Sequence, residues 1–232
     1  MEVDLLNFLE QQAFSNIDDI NKNDLTLDLQ GWISPKFNDK FTEIIVNSYN
    51  ELQRPLIIIE IGSWKGLSAC TMASIAKQNN IPCKIICIDT WLGSPDYWTT
   101  GIADINKGGS LNFNKGYPQI YYTFLNNIIL ENHTDIIRPF PMSSNEASEI
   151  LNYYNIKPDI VYIDGAQVYD SVKNDILKYW KILHNNGYIF GSNYCDEYES
   201  IKMAVNDFSG YFMTDKTIDD ILWIIQKPIN YL

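Results

Sequence analysis

The stretch Leu56-Ile57-Ile58-Ile59-Glu60-Ile61-Gly62-Ser63-Trp64-Lys65-Gly66 constrains this chain more than any other. A short, branched, apolar run that ends in an acid and two glycines reads as a buried strand that stops abruptly and turns into a helix near Leu67 or Ser68. Glycines there let the backbone adopt positive φ and approach a ligand, and the free amides at the helix start favour polar or anionic groups. Glu60 then faces the same crevice, where a carboxylate suits an amine or a hydroxyl pair. The spacing differs from the GxGxxG dinucleotide fingerprint, which weakens a nicotinamide-dependent oxidoreductase on the same architecture.

The pattern repeats. After Ile81-Pro82, Lys84-Ile85-Ile86-Cys87-Ile88-Asp89 is a second buried strand ending in an acid, and Asp159-Ile160-Val161-Tyr162-Ile163-Asp164-Gly165 is a third. Strands separated by helices, with a carboxylate at each C-terminal edge, predict an α/β doubly wound, mostly parallel sheet with its ligand crevice at those edges. Asp89, roughly 20 residues or more past the glycine turn, stands where such folds hold two ribose hydroxyls.

The remaining elements follow from periodicity. Residues 1–55 read as a helical N-terminal extension or cap, with Leu5, Leu6, Phe8 and Leu9 on one apolar face and Phe41, Ile44, Ile45 and Tyr49 on another, broken at Gly31-Trp32-Ile33-Ser34-Pro35. Residues 56–232 form the main domain. A helix is expected over Gln119 to Glu131, a strand near Asp135 to Pro139, and a helix capped by Ser144. Val172, Ile176, Leu177, Trp180 and Leu183 mark an amphipathic helix closed at Asn186-Gly187. A strand at Tyr188 to Gly191, a helix over Glu199 to Phe208 and a last strand at Ile221 to Gln226 complete the chain.

Between Leu92 and Lys115 the text is loop-like but rich in aromatics: Trp91 at its start, then Tyr97, Trp98, Phe113 and, just past it, Tyr117. Aromatic faces pack against the C–H face of a sugar or similar ring, so this stretch is a candidate substrate lid, with a satellite hydrophobic cluster as the even alternative.

Composition narrows the function classes. A formal net charge of -12 over 232 residues argues against a nucleic-acid partner, whose phosphates need a basic face. Cys70, Cys83, Cys87 and Cys195 form no CxxC pair, and three of them sit within or beside apolar runs, which reads as small buried hydrophobes in a reducing compartment. His133 and His184 are too scattered for a metal cluster and read as surface or loop residues. An acidic N-terminus and the lack of any apolar run approaching ~20 residues predict a cytoplasmic protein with no membrane span. The oligomeric state is open, a homo-oligomer included.

Together, Glu60-Ile61-Gly62-Ser63-Trp64-Lys65-Gly66-Leu67-Ser68, Ile88-Asp89-Thr90-Trp91-Leu92-Gly93-Ser94 and Tyr162-Ile163-Asp164-Gly165 followed by Tyr169 resemble a class I S-adenosylmethionine-dependent methyltransferase. The likeness is to the macrocin O-methyltransferase and cephalosporin hydroxylase-like branch of sugar O-methyltransferases, and it covers residues 55 to 227. It implies a Rossmann-like methyltransferase fold and a hydroxyl of a sugar or small glycosylated molecule as acceptor. By that resemblance Glu60, Gly62, Ser63, Trp64, Gly66 and Ser68 would cradle the methionine portion of S-adenosyl-L-methionine. Asp89, with Thr90 and Trp91 beside it, would take the ribose, and Ser143 and Ser144 would approach the adenine. Asp164 would sit at the methyl-transfer centre, with Tyr97, Trp98, Tyr169 and Asn193 toward the acceptor.

The resemblance also marks departures. Relatives carry a general-base histidine at the position of Gln167 and two metal-binding acids at those of Ser192 and Asn193. Asp164 and Asn193 are then weak metal candidates, a divalent metal is not expected, and Asp164 is left as base. A homologue that keeps the cofactor pocket as a binding or scaffolding partner is the alternative.

Overall fold

The computed structural model describes residues 4–31, 33, 35–99 and 111–229. Trp32 and Ser34 of the expected break, and residues 100–110 of the aromatic loop, lie outside the described residues. A seven-stranded sheet forms the middle layer: β1 (Leu56–Ile61), β2 (Cys83–Asp89), β3 (Ile137–Pro141), β4 (Ile160–Ile163), β5 (Tyr188–Gly191), β6 (Thr217–Asp219) and β7 (Leu222–Gln226), in the order β3-β2-β1-β4-β5-β7-β6. The five strands from β3 to β5 are parallel, and β7 runs antiparallel between β5 and β6. The order reverses between β1 and β4, which opens a crevice beyond their C-terminal ends.

Strand residues alternate between two cores, as the two-residue period of a strand requires. Ile58, Ile85, Ile137, Tyr162 and Phe190 face α2 (Pro35–Leu52), α3 (Leu67–Gln78) and α5 (Ile120–Leu130). Ile59, Ile86, Val161, Ile189 and Ile225 face α6 (Ser144–Tyr153), α7 (Tyr169–Ile182) and α8 (Glu199–Phe212). A short α4 (Pro95–Thr99) follows β2. Both layers are apolar on the inside, so the parallel strands carry few polar residues until they leave the sheet.

Helix α1 (Leu5–Phe14) packs along β3, the edge of the sheet. Its buried residues are Leu5, Leu9 and Phe14; Phe8 is turned to solvent, because the 3.6-residue period carries position 8 past the face shared by 5 and 9. Among the described residues no helix is long and apolar enough to cross a membrane.

Several sequence expectations need correction. Ser143, not Ser144, caps α6: it accepts from the Glu146 amide, the serine-to-glutamate spacing of a capping box. The left-handed residue after α7 is Asn186 rather than Gly187, and the helix has already ended at Ile182. Helix α8 continues to Phe212, through Gly210, where a Cβ would meet nothing within 4 Å. Strand β3 begins at Ile137, after a turn in which the Ile136 and Ile137 amides both donate to the His133 carbonyl. Strand β6 was not expected; it is short and mostly exposed, and pairing with β7 alone makes it a strand. His133 is buried, its ring 3.0 Å from Ser74 Oγ, a contact made across tertiary structure. Cys70, Cys83 and Cys87 are free and buried, and burial raises each thiol pKa, that of Cys83 to about 12.

Candidate active site

The three acids share one sheet face by parity. Glu60 continues the set Leu56 and Ile58, Asp89 the set Cys83, Ile85 and Cys87, and Asp164 the set Ile160 and Tyr162. Glu60 is in register with Cys87 on one side and Tyr162 on the other. Asp89 and Asp164 therefore stand one pleat further out, flanking the chain as it leaves β1. Ser192 obeys the same rule after Tyr188 and Phe190 on β5.

The glycine turn is fixed by its neighbours. The Gly62 amide donates to the Ile88 carbonyl and the Asp164 amide to the Ile61 carbonyl, both at 2.9 Å. Gly62 has φ +88°, and a Cβ there would lie 2.4 Å from the Asp164 carbonyl oxygen and 2.6 Å from Gly165 Cα. Only glycine lets β1 and the chain beyond β4 approach this closely. Asp89 holds the next part of the turn: Oδ2 accepts from the Trp64 amide and Oδ1 from the Trp91 amide, each at 2.8 Å. A carboxylate has about four lone-pair sites, so two remain for a further donor on each side of these bonds. Burial raises the Asp89 pKa, and the backbone amides of Trp64, Trp91 and Thr90 hold it back.

Glu60 is the unusual group. It is 0% exposed, and among the described residues neither carboxylate oxygen has a hydrogen-bond partner of good geometry. Desolvation pushes its pKa to about 7, with Ser63, Ser68 and Cys87 near enough to moderate the rise and Asp164 adding to it. A buried acceptor without a donor is costly. A cationic or hydroxyl donor arriving at the turn would supply the missing partner.

At Asp164 both oxygens are engaged from within the chain. Ser192 Oγ donates to Oδ1, and the Tyr162 hydroxyl donates to Oδ2 at 3.1 Å. Burial raises the Asp164 pKa and these two donors lower it. The sequence resemblance sets Ser192 beside Asp164 only as a position of a metal-binding acid and gives Tyr162 no role, though Tyr162, two residues before Asp164, lies on the same side of the extended chain. Gln167 is exposed and borders a small cavity with Asp164, Ser192 and Trp223. Asn193 is half-buried with φ +62°. Among the described residues no group of three His, Cys, Asp or Glu could hold a metal ion.

The other sequence candidates divide. Trp91 is buried behind the turn, packed on Tyr121 and Phe124 at 4.9 Å, and its Nε1 donates to the Trp64 carbonyl at 2.7 Å. Its ring is thus a prop for the turn. Thr90 is exposed and its Oγ1 accepts from the Leu92 amide at 3.3 Å. Tyr97 packs on Trp64 at 4.9 Å; Trp98 meets Phe113 edge-on at 5.1 Å, and both stay about two-fifths exposed. Ser143 is the cap described above, and the Ser144 hydroxyl donates to Asp175 Oδ1 at 2.6 Å, away toward α7. The Tyr169 hydroxyl donates to Asp207 on α8 at 2.6 Å.

Comparison with known proteins fits this geometry. A family model described as a methyltransferase domain matches residues 59–194. Comparison with curated proteins gives no match. Among solved structures, the O-methyltransferase NovP superposes with a TM-score of 0.62 at 14% identity, covering 97% of this chain and 98% of that one. CalS11, a TDP-rhamnose 3'-O-methyltransferase of calicheamicin biosynthesis, gives 0.57 at 13% identity, covering 97% and 96%. TomG of Streptomyces achromogenes, an O-methyltransferase of tomaymycin synthesis solved with S-adenosylmethionine, gives 0.56 at 11%, covering 98% and 91%. These likenesses are of fold. The matched segment runs from β1 through the tip of β5 and carries the glycine turn and all three strand-tip acids, and this chain belongs to the methyltransferase-domain family as a class I S-adenosylmethionine-dependent methyltransferase.

Proposed function

We propose that the protein transfers the methyl group of S-adenosylmethionine to a hydroxyl of a sugar or small glycosylated molecule. The observation that carries the reading is the convergence of Glu60, Asp89 and Asp164 on one sheet face around Gly62. A cofactor with an amine, a diol and a reactive methyl meets an acid for each of the first two and a third acid beside the reacting centre. That O-methylation is performed by NovP, CalS11 and TomG, one of them on a nucleotide sugar, supports the same chemistry here.

Glu60 receives the ammonium and Asp89 the ribose hydroxyls. The cofactor supplies a methyl group already activated by its sulfonium charge. Asp164 would take the proton of the acceptor hydroxyl, and the bound cofactor would supply the methyl group and leave as the neutral thioether, so the released proton is the only charge to be housed. An alcohol is a poor nucleophile at neutral pH without a base, and positioning for in-line attack carries much of the remaining rate. Ser192 and Tyr162 each occupy an oxygen of Asp164, and the side chains at 192 and 193 are neutral, a set poorer in anionic oxygen than a divalent cation favours.

Titration with S-adenosylmethionine, S-adenosylhomocysteine and NAD tests the cofactor, and methyl transfer to nucleotide sugars and glycosides, with and without chelator, tests the chemistry. Expected are binding of the first two and chelator-resistant transfer. Binding of NAD alone, or bound cofactor with no transfer to any hydroxylated acceptor, overturns the proposal.

A further inference from the structure

Lys65 lies inside the glycine turn, yet its side chain bonds to the segment 25–31. Its Nζ donates to Asp28 Oδ2 at 2.6 Å and to Gln30 Oε1 at 3.0 Å, and it stands 5.8 Å from the Trp64 ring. The lysine side chain is 5% exposed and that of Asp28 47% exposed. A buried ammonium needs its partners, so the turn and the segment are tied through a charge that cannot be left alone.

A second tie lies beside the first. Asn127, buried on α5, uses one side-chain amide for both parts: Nδ2 donates to the Lys65 carbonyl at 2.7 Å and to the Asp28 carbonyl at 2.8 Å, while Oδ1 accepts from the Asp28 amide at 2.9 Å. Gly31 completes the contact, for a Cβ there would lie 2.8 Å from Leu67 Cδ2 at the start of α3. Leu25 and Leu29 pack on the same core as α3 and α5. Residues 25–31 thus form a strap clamped to the glycine turn by two ties between Lys65 and Asp28, one through their side chains and one through Asn127.

We propose that Lys65, Asn127 and Asp28 are positioning residues that hold the cofactor turn in its binding shape by clamping the 25–31 strap onto it, so that strap docking and cofactor binding reinforce one another. The inference rests on the cofactor reading above. If the strap stabilises the binding-competent turn, linkage requires the cofactor to stabilise the docked strap by the same factor. The peptide joining Trp64 to Lys65 is the shared element: its two residues also carry the amide held by Asp89 and the carbonyl held by Asn127.

The test combines S-adenosylhomocysteine affinity by calorimetry with hydrogen exchange of residues 25–31. In the wild type, S-adenosylhomocysteine is expected to slow exchange of the strap. Lys65→Met and Asp28→Asn should each weaken its binding by about 5- to 50-fold and abolish that protection. The double variant should lose no more than Lys65→Met alone, because both changes break one pair. Asp28→Glu, which keeps the charge, should stay near wild type. Asp28 is half-exposed, so its variants report even if Lys65→Met fails to fold. Folded variants that bind S-adenosylhomocysteine as the wild type does, or strap exchange indifferent to it in the wild type, overturn the inference while leaving the cofactor reading intact. A wild type that does not bind it removes both.

Discussion

The hydroxyl of Ser192, at the tip of β5, donates to Oδ1 of Asp164, at the tip of β4. Two adjacent parallel strands of matching parity place a neutral donor against the acid proposed as base. Burial raises the Asp164 pKa, and Ser192 is the larger of the two hydrogen-bonding groups that lower it. Ser192→Ala removes that donor, so the pKa rises further and the ionised form is reached only at higher pH. The ascending limb of the kcat/KM profile should move to higher pH in this variant. Asp164→Asn should cut kcat by about 10²- to 10⁴-fold, the usual range for a general base, with S-adenosylhomocysteine still bound. An unmoved limb in Ser192→Ala would place the base elsewhere.

Glu60 makes a pH prediction of opposite use. Burial holds its carboxyl at about 7, well above the ordinary glutamate value of 4.5. A carboxyl raised on folding binds its proton more tightly in the native state, so its favourable contribution is complete below pH 4.5 and is lost as pH rises toward 7. The shift corresponds to about 3 kcal/mol. Urea unfolding should therefore show Glu60→Gln gaining stability relative to wild type between pH 5 and pH 8, by up to about that amount. The cofactor ammonium needs the ionised form, so S-adenosylhomocysteine affinity should climb through pH 7 in the wild type and stay flat in Glu60→Gln.

Gly62→Ala tests the turn itself. At φ +88° an alanine is strained, and its Cβ would meet backbone rather than a side chain that can move. The variant should be destabilised by about 2–4 kcal/mol through strain and forced backbone shift, with cofactor binding lost even in the fraction that folds. Gly66, at φ +90°, meets the Phe124 ring at 3.1 Å, and a ring edge can give. Gly66→Ala should cost less in thermal melting, and equal losses would contradict the distinction.

The parity that aligns Glu60, Asp89, Asp164 and Ser192 is written in the sequence, because each follows a run of alternating strand residues by a whole number of pleats. The β1, β2 and β4 strands and the α3 boundary were legible for the same reason: branched apolar runs leave one conformation open, and the glycines end it. What the sequence hides is contact across distance. Lys65 and Asp28 are 37 positions apart, and Asp28 and Asn127 are 99 apart. Buried His133 meets Ser74, and Ser144 donates to Asp175, across distances that no local pattern encodes. Strand β6 exists only because β7 offers it an edge.

Trp98 is the most direct test of the proposed acceptor. Its ring stands edge-on to Phe113 and its Nε1 donates to the Leu92 carbonyl at 2.7 Å, which fixes the ring while leaving it 42% exposed. Tyr97, its neighbour on α4, packs on Trp64 of the cofactor turn. A rigid, half-exposed aromatic next to that turn suits the C–H face of a sugar. An aromatic contact of this kind is worth about 0.5–1.5 kcal/mol, so Trp98→Ala should raise the acceptor KM by about 3- to 10-fold. The S-adenosylhomocysteine Kd should stay put, since Trp98 packs on Phe113 and bonds to the Leu92 carbonyl. Trp98→Phe keeps a flat face and should recover most of the loss. A fall in kcat with unchanged KM, or a matching loss of cofactor affinity, would assign the ring to turn support instead, and steady-state kinetics beside calorimetry separates the two.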